Sequence, residues 1–267
     1  MPTSALQAQI DAATAYEEFF VPALFQEWAP RVIAAAQLQS GQRLLDVACG
    51  TGVLAREAAA RVRAAGTVVG LDPNPGMLIV AKRRAPGVEW REGTAEALPY
   101  PETSFDAVVS QFGLMFFTNR VQALREMLRV LAPGGHLAVA VGDSIDNTPA
   151  YADELKLLNR IAGSQAADAL RAPYVLGDQK ELGALFGNAG VASVKITTHS
   201  GTAKFPSVRS MVEADLRGWL PVMGVILPEE QIRRILAEAE DALSTYVTTG
   251  GWVEFASSAH IITGTRP

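Results

Sequence analysis

Two acids and two glycines near the start of the chain have the types and spacing of a small-ligand site. Asp46 follows an apolar pair, and Gly50 and Gly52 come next, before the alanine-rich stretch 53–62; Asp72 ends a second apolar run twenty residues past Gly52. Glycine lacks a Cβ atom, so the backbone can bend sharply and a ligand can approach it closely. A helix that starts after such a turn presents unpaired N–H groups and a partial positive charge. The pattern indicates a strand, a tight turn and a helix that bind a nucleotide-like ligand.

The charge of Asp46 separates two classes of ligand. Gly50-x-Gly52-x-x-Ala55, with Asp72 as the following acid, also satisfies the dinucleotide-binding fingerprint. Asp46, however, stands where a pyrophosphate would lie, and a carboxylate there would repel phosphates and attract an ammonium group. The sequence therefore favours a ligand that carries an amino group.

Three segments extend this into a family resemblance. Asp46-x-Ala48-x-Gly50-x-Gly52 resembles motif I of the class I S-adenosylmethionine-dependent methyltransferases, with alanine at position 48 where that family usually has glycine. The strand that begins Ser-Phe-Asp at 104–106 and the Pro-Gly-Gly turn at 133–135 are similar to the same family. Within it, the chain resembles the small-molecule enzymes of the ubiquinone and menaquinone methyltransferase group.

The resemblance implies which residues would hold S-adenosylmethionine. The Asp72 carboxylate would accept hydrogen bonds from the ribose diol, and Met77 would lie on the adenine. Thr94 stands where the family has an aspartate that contacts the adenine amino group, so a hydroxyl or the Ala95 backbone would make that contact. The expected cofactor contacts are Tyr16, Phe20, Asp46, Ala48, Gly50, Gly52, Asp72, Pro73, Met77, Thr94, Ala95, Glu96, Gln111 and Phe112.

The aromatic residues among these have a second interpretation. Tyr16 and Phe20 belong to an N-terminal helical segment that caps the pocket in the resembling family, but they could also be ordinary core residues. The same two interpretations apply to Phe112 and Phe116, which the resemblance places along the methyl-transfer channel. Cys49 is interpreted as a packing residue, because no histidine lies near it in sequence to activate a thiol.

Composition limits the function classes. The chain has 267 residues, of which 49% are hydrophobic and 19% are charged, which indicates a globular protein with a sizeable core. Its net charge of −5 disfavours nucleic-acid and anionic-membrane partners. One cysteine excludes an intramolecular disulfide and a cysteine-rich metal site, and we expect no metal. The chain shows neither a signal-peptide pattern nor a transmembrane-length apolar run, so a cytoplasmic protein is expected; a homodimer is left open.

The order of the patterns predicts an α/β fold. We expect a Rossmann-like, seven-stranded, mostly parallel sheet with an antiparallel edge hairpin, helices on both faces and a helical lid. A single structural domain would contain an N-terminal helical cap (1–40), a cofactor-binding core (41–147) and a C-terminal half (148–267) with a lid insertion at about 201–227. One long final strand, 252–264, is expected to pair antiparallel with 194–199.

Methyl transfer from a sulfonium is an in-line displacement that needs alignment and exclusion of water, without a metal or a covalent nucleophile. We expect an O, N or C nucleophile on a small-molecule acceptor. Phe116, Arg217 and Trp219 are the expected substrate contacts, and an apolar pocket with one cationic group would suit a small, partly aromatic or acidic metabolite. No catalytic residue is assigned; the candidates for a general base, by position alone, are His199, Glu213, Asp215 and His260.

Two other functions stay open. A non-catalytic S-adenosylmethionine-binding module would keep the same turn, and a closed lid with no cavity beyond Gln111 and Phe112 would favour it. A nicotinamide-dependent reductase is disfavoured by Asp46 and by the absence of a Tyr-x-x-x-Lys pair.

Overall fold

The computed structural model describes residues 3–266 and is built around a seven-stranded sheet. Its strands are β1 (Arg43–Val47), β2 (Thr67–Asp72), β3 (Glu89–Glu92), β4 (Phe105–Gln111), β5 (Leu131–Gly142), β6 (Ala192–His199) and β9 (Ala259–Thr265). Two further strands, β7 (Thr202–Phe205) and β8 (Val253–Ala256), form a separate antiparallel pair.

Eleven α-helices of varied length surround the sheet within the described range. They are α1 (Ser4–Ala15), α2 (Ala29–Ala35), α3 (Val53–Val62), α4 (Pro75–Arg84), α5 (Arg120–Val130), α6 (Pro149–Ala162), α7 (Ser164–Arg171), α8 (Gln179–Ala189), α9 (Val208–Ala214), α10 (Leu220–Val222) and α11 (Glu229–Ala242). Two π-helical segments, Tyr16–Phe25 and Asp215–Trp219, continue α1 and α9 respectively. None of the helices in residues 3–266 has both the length and the apolar character needed to cross a membrane.

The strand order β3-β2-β1-β4-β5-β9-β6 confirms the expected sheet. Strands β1 to β5 are parallel, and β9 is antiparallel to both of its neighbours. From β1 the chain continues to β2 and β3 on one side of the sheet, and β4 and β5 then lie on the other side of β1. The strand order therefore reverses between β1 and β4. In open α/β sheets a ligand binds at the carboxyl ends of the strands at this point.

Apolar residues on both faces of the sheet explain why it is buried on both sides. Adjacent residues of a strand point to opposite faces: Leu44 packs with α2 and α3 on one side, and Leu45 packs with α5 and α8 on the other. A third apolar cluster joins the N-terminal π-helical segment to α6, α7, α9, α11 and the β7–β8 pair. It covers the carboxyl ends of the strands with elements from both ends of the chain.

The expectation of one strand over 252–264 is wrong. The chain forms β8 and β9 there, with a break at Ser257 and Ser258 between them. The Ser257 N–H donates to the Gly201 carbonyl at 3.0 Å, while the Ser258 carbonyl accepts from the Asp143 N–H at 3.0 Å. The two serines therefore bond to different parts of the protein, and the chain passes from the small sheet to the large sheet between them.

Candidate active site

The turn after β1 is held in the left-handed region of backbone space. Ala48, Gly50 and Gly52 have φ values of 58°, 54° and 86°, and Gly52 caps the N-terminus of α3. The indole ring of Trp90 occupies the space that a Cβ atom on Gly52 would need. Two separate constraints therefore require glycine at position 52: the left-handed backbone angle and the close packing of Trp90.

Asp72, at the end of the neighbouring strand β2, stabilises this turn by hydrogen bonding. One carboxylate oxygen accepts a hydrogen bond of 2.8 Å from the Gly50 N–H, and the other accepts one of 2.9 Å from the Asn74 N–H. Burial raises the pKa of the Asp72 carboxyl, and these two bonds oppose the rise. The helix N-cap of α4 is Asn74, whose side chain accepts from Gly76 and Met77, so Asp72 remains oriented toward the turn.

Asp46 is buried without a partner. It is 1% exposed, and neither carboxylate oxygen has a hydrogen-bond partner among the described residues. Burial and the nearby Asp72 hold the pKa of Asp46 well above its usual range; the Ala55 N–H faces the carboxyl and offsets this only in part. A buried, unsatisfied carboxyl is costly, and a ligand ammonium group would satisfy it.

Gln111 adds a second acceptor to the same cavity. Its Nε2 donates to the Phe25 carbonyl at 3.0 Å, while its Oε1 is buried and has no partner within residues 3–266. Asp46 and Gln111 both line a cavity of about 60 Å³ over the turn, with Cys49 in its wall. Burial raises the pKa of the Cys49 thiol well above its usual range, so this cysteine is not a ready nucleophile.

The N-terminal segment is fastened over the turn by a residue that the sequence analysis missed. Glu17 is buried. Its carboxylate accepts a hydrogen bond of 2.6 Å from the Thr51 hydroxyl and one of 2.9 Å from the Arg56 guanidinium. Its neighbour Tyr16 lies against Gly50, and burial raises the pKa of the Tyr16 phenol. An acid inside an otherwise apolar, aromatic stretch was the signal that could have identified Glu17.

The residues expected at the adenine end lie beyond Asp72, outside this cavity. Pro73 and Thr94 are exposed, Ala95 is buried, and Met77 is half-buried at the start of α4. Glu96 accepts from the Asn119 N–H at 3.2 Å. This edge is open, and α1 packs against α4 beside it.

A second cavity of about 110 Å³ lies next to the first and shares its Tyr16 and Phe112 walls. Phe112 has a left-handed φ of 56°, and its ring packs 5.4 Å from the Phe25 ring between centroids. Phe116, 45% exposed, packs 5.5 Å from Trp219. The aromatic residues around this cavity are Tyr16, Phe20, Phe25, Trp28, Phe112, Phe116, Tyr151, Tyr174 and Trp219. We call it the aromatic cavity.

The charged residue in the aromatic cavity is an acid. Asp215 is 2% exposed, lines the cavity, and its Oδ2 has no partner among the described residues. Burial and the nearby Glu154 hold the pKa of Asp215 well above its usual range, opposed by a hydrogen bond from Tyr151. Glu154 is also buried with both oxygens unpartnered in the described chain, and burial raises its pKa to about 8.

Arg217 lies outside the aromatic cavity, unlike the other two expected substrate contacts. Its side chain is 43% exposed and pairs with Glu213 at 3.0 Å and Glu229 at 2.7 Å. Asp215 and Trp219 are four residues apart and share the inward side of the helical segment, whereas Arg217, two residues from each, faces away. The structure therefore brings an acid to the place where the sequence suggested a cation.

The other candidate bases lie away from the cavity walls. His260 is buried, with Nε2 2.9 Å from the Gly177 carbonyl and Nδ1 2.8 Å from the Thr198 hydroxyl. Glu213 accepts a hydrogen bond from Arg217, outside the aromatic cavity. His199 ends β6, at the edge of the sheet. Tyr151 and Tyr174, by contrast, are cavity residues that no local sequence signal identified.

Comparison with known proteins agrees with this site. Residues 45–139 match the family described as Methyltransferase domain. The chain is 36% identical over 179 residues to the ubiquinone/menaquinone biosynthesis C-methyltransferase UbiE of Stenotrophomonas maltophilia, covering 61% of this chain and 71% of that protein. It is 46% identical over 115 residues to the demethylmenaquinone methyltransferase of Renibacterium salmoninarum, which is 43% of this chain and 47% of that one.

The fold is similar to that of a solved methyltransferase structure. The phosphoethanolamine N-methyltransferase 2 of Haemonchus contortus, in complex with S-adenosyl-L-methionine, superposes with a TM-score of 0.60 at 16% identity, over 96% of this chain and 56% of that one. At this identity the likeness concerns the fold alone. Among the sequence relatives, the match spans from about half to about 70% of their length. On the sequence relatives, the chain belongs to the S-adenosylmethionine-dependent methyltransferases, in the group of the ubiquinone and menaquinone C-methyltransferases.

Proposed function

We propose that this protein transfers a methyl group from S-adenosylmethionine to a small-molecule acceptor by in-line displacement. The observation that carries the proposal is the shared wall of the two cavities: Tyr16 and Phe112 separate the unsatisfied acid Asp46 from the aromatic cavity. A cofactor whose ammonium pairs with Asp46 would have its methionine chain at this wall, with the acceptor on the other side.

The buried acceptor oxygens of the first cavity fit the amino-acid end of the cofactor. Asp46 and Gln111 offer unpartnered buried oxygens to an ammonium group, and Asp72 would face the ribose. The cofactor supplies a methyl group on a sulfonium, which is an activated leaving group. The contribution of the chain is to bind, align and exclude water, and such alignment can supply about 7–11 kcal/mol. The further cofactor contacts that we propose are Tyr16, Phe20, Ala48, Gly50, Gly52, Pro73, Met77, Thr94, Ala95, Glu96 and Phe112.

The size and walls of the aromatic cavity favour a small aromatic acceptor. A cavity of about 150 Å³ lined by apolar side chains binds benzene, so about 110 Å³ suits one ring after slight adjustment. Phe116 and Trp219 would contact this ring at the mouth, and the segment 201–227 would act as a lid. Because relatives are named for ubiquinone and menaquinone biosynthesis, hydroquinones are the first acceptors to screen.

Partners and location belong to the same proposal. A net charge of −5 agrees with an acceptor that is a small molecule rather than a nucleic acid. We place the enzyme in the cytoplasm, and size-exclusion chromatography of the full chain would show whether it forms a homodimer.

Calorimetric titration with S-adenosylhomocysteine and, separately, NADH tests the cofactor. We expect micromolar binding of S-adenosylhomocysteine alone, lost in Asp46→Asn. Mass spectrometry should then detect a gain of one methylene in an aromatic acceptor incubated with S-adenosylmethionine. Binding of NADH alone would instead support a reductase.

A non-catalytic cofactor-binding module is the second candidate. The cavity beyond Phe112 argues against it, because a protein without an acceptor has no need of an enclosed aromatic space beside the cofactor site. Cofactor binding without turnover of any aromatic acceptor would revive this candidate.

A further inference from the structure

Asp215 in the wall of the aromatic cavity and its buried neighbour Glu154 have no cationic partner among residues 3–266. Asp215 and Glu154 are both fully buried, and three of their four oxygens lack any partner in the described residues. The groups that face Asp215 are the Glu154 carboxyl and the Tyr151 hydroxyl from α6, with the Tyr174 phenol nearby. The residues that line the cavity include no lysine, arginine or histidine. A buried polar oxygen without a hydrogen-bond partner is costly, and a ligand group that pairs with Asp215 in the aromatic cavity would remove this cost.

The same argument applies to the two cavities. In the first, the unpartnered carboxyl of Asp46 fits the ammonium group of the cofactor. In the second, Asp215 presents an unpartnered oxygen to a space enclosed by aromatic rings. A cation near the faces of Trp and Tyr rings is attracted by the ring quadrupole, and the attraction is stronger where water is excluded.

The backbone around Asp215 also departs from regular helix. Asp215 begins one of the two π-helical segments, and the other, Tyr16–Phe25, supplies further walls of the same cavity. π-Helical turns are rare and frequently occur at functional sites. Both segments therefore contribute side chains to one place, where a regular helix would direct them differently.

We propose that the acceptor is a small arylalkyl amine, with its amino group on an aliphatic carbon beside an aromatic ring, and that Asp215 receives its ammonium group, so that the atom methylated is nitrogen. This inference rests on the proposed methyl transfer and names its acceptor. It differs from the expectation of an acidic metabolite, which depended on Arg217 pointing inward. It also takes precedence over the hydroquinones suggested by the names of the relatives, because a hydroquinone carries no cationic group for Asp215.

The chemical step balances with groups already named. The Asp215 carboxylate takes one proton from the ammonium group, which frees the nitrogen lone pair. The nitrogen then bonds to the methyl carbon, the carbon–sulfur bond breaks, and its electron pair stays on sulfur. The products are a methylated ammonium ion and a neutral thioether, and Asp215 keeps the proton, which returns it to its state before the amine was bound. The one proton released overall is the proton that leaves the acid pair when the amine binds.

Calorimetry on the full chain saturated with S-adenosylhomocysteine tests the inference without turnover. The probes are benzylamine and benzyl alcohol, which match in size and differ in charge. We expect benzylamine to bind at least about tenfold more tightly, from charge-assisted hydrogen bonding and cation–π attraction. Because burial holds the pKa of the acid pair high, benzylamine binding should also release about one proton, detected as a heat difference between phosphate and Tris buffers, and benzyl alcohol binding none.

Substitution of Asp215 separates charge from shape. Asp215→Asn should remove the preference for benzylamine while changing benzyl alcohol affinity by less than about twofold, since the aromatic walls stay. Glu213→Gln is the matched control: it lies two residues earlier, pairs with Arg217 outside the cavity, and should leave both affinities unchanged. Glu154→Gln, which leaves Asp215 as the remaining acid of the pair, should keep the preference and reduce the number of protons released.

Equal binding of the two probes by the unsubstituted chain would overturn the inference, and so would a benzylamine preference that survives in Asp215→Asn. Should Asp215→Asn fail to bind S-adenosylhomocysteine and thus prove misfolded, the unsubstituted chain and Glu154→Gln still decide. Absence of S-adenosylhomocysteine binding by the unsubstituted chain would instead overturn the proposed function.

Discussion

Glu17 and Thr51 join the N-terminal cap to the glycine turn through a buried hydrogen bond of 2.6 Å. The same carboxylate pairs with Arg56 in α3 at 2.9 Å, so one side chain ties the cap to the turn and to the helix that follows it. The cavity beneath, at about 60 Å³, is much smaller than the roughly 300–1,000 Å³ of typical ligand pockets. Widening this cavity for the amino-acid end of the cofactor would need the cap to move, and Glu17 is the contact that would resist this movement.

Glu17→Gln should loosen the cap. Loss of the carboxylate weakens the charge-assisted bonds to Thr51 and Arg56, each worth about 1.5–3 kcal/mol. Amide hydrogen exchange over residues 4–28 should become at least about tenfold faster, with the rest of the chain unchanged. Glu18→Gln changes an exposed neighbour in the same way and should have no effect. Equal exchange in both variants would show that Glu17 does not restrain the cap.

Replacing Asp46 or Asp72 with asparagine should change the free energy of unfolding in opposite directions. Asp46→Asn removes a carboxyl without partners in the described chain, so the free energy of unfolding of the cofactor-free protein should rise by about 1–2 kcal/mol at neutral pH, while S-adenosylhomocysteine binding is lost. Asp72→Asn leaves the Gly50 or Asn74 N–H unsatisfied, and the free energy of unfolding should fall by about 1–3 kcal/mol. Urea denaturation of the two variants measures both effects; a loss of stability in Asp46→Asn would contradict its assignment as a ligand-binding residue.

Glu154 should make the stability of the protein depend on pH in a stated direction. Its folded-state pKa of about 8 lies above that of the unfolded chain, so the folded state holds the proton more tightly. Stability is then fully present below the ordinary glutamate pKa and is lost as pH rises toward about 8. Each unit between the two pKa values corresponds to about 1.4 kcal/mol.

Glu154→Gln should therefore unfold with a flatter pH profile than the unsubstituted protein between about pH 5 and 8. Thermal denaturation across this range measures the difference. Asp168→Asn, which changes an exposed carboxylate paired with Arg171, is a suitable control. Parallel profiles for Glu154→Gln and the unsubstituted chain would mean that Glu154 ionises freely in the folded state.

Gly52→Ala should be more destabilising than its backbone angle alone explains. Gly52 and Gly190 share a φ of 86°, but a Cβ on Gly190 would meet no atom within 4 Å, whereas one on Gly52 would overlap the Trp90 ring. Gly190→Ala should cost about 1–2 kcal/mol for the left-handed conformation, and Gly52→Ala a further 1–3 kcal/mol or so for overpacking. Adding Trp90→Leu to Gly52→Ala should recover part of this second loss, as urea denaturation would show. No recovery would place the strain elsewhere in the turn.

The core of the fold, with the strand–turn–helix unit that carries the proposed cofactor residues, was predictable from the sequence. Asp46, Gly50, Gly52 and Asp72 lie within one strand–turn–helix–strand unit, where short apolar runs, glycines and helix starts are local properties of the chain. The parallel sheet then brings strand ends to a common edge, so the spacing of these residues along the chain translates directly into proximity.

The lining of the aromatic cavity, where we propose that the acceptor binds, was decided only by tertiary structure. Asp215, Tyr151 and Tyr174 come from separate late segments, and nothing in their local sequence distinguishes an inward acid from a solvated one. The inward position of Asp215 and the outward position of Arg217 follow from how the π-helical segment packs against α6 and α7. The break at 257–258 likewise depends on partners far away in sequence, Gly201 and Asp143. Local patterns determine which elements form, whereas long-range packing and hydrogen bonding determine which of their side chains meet.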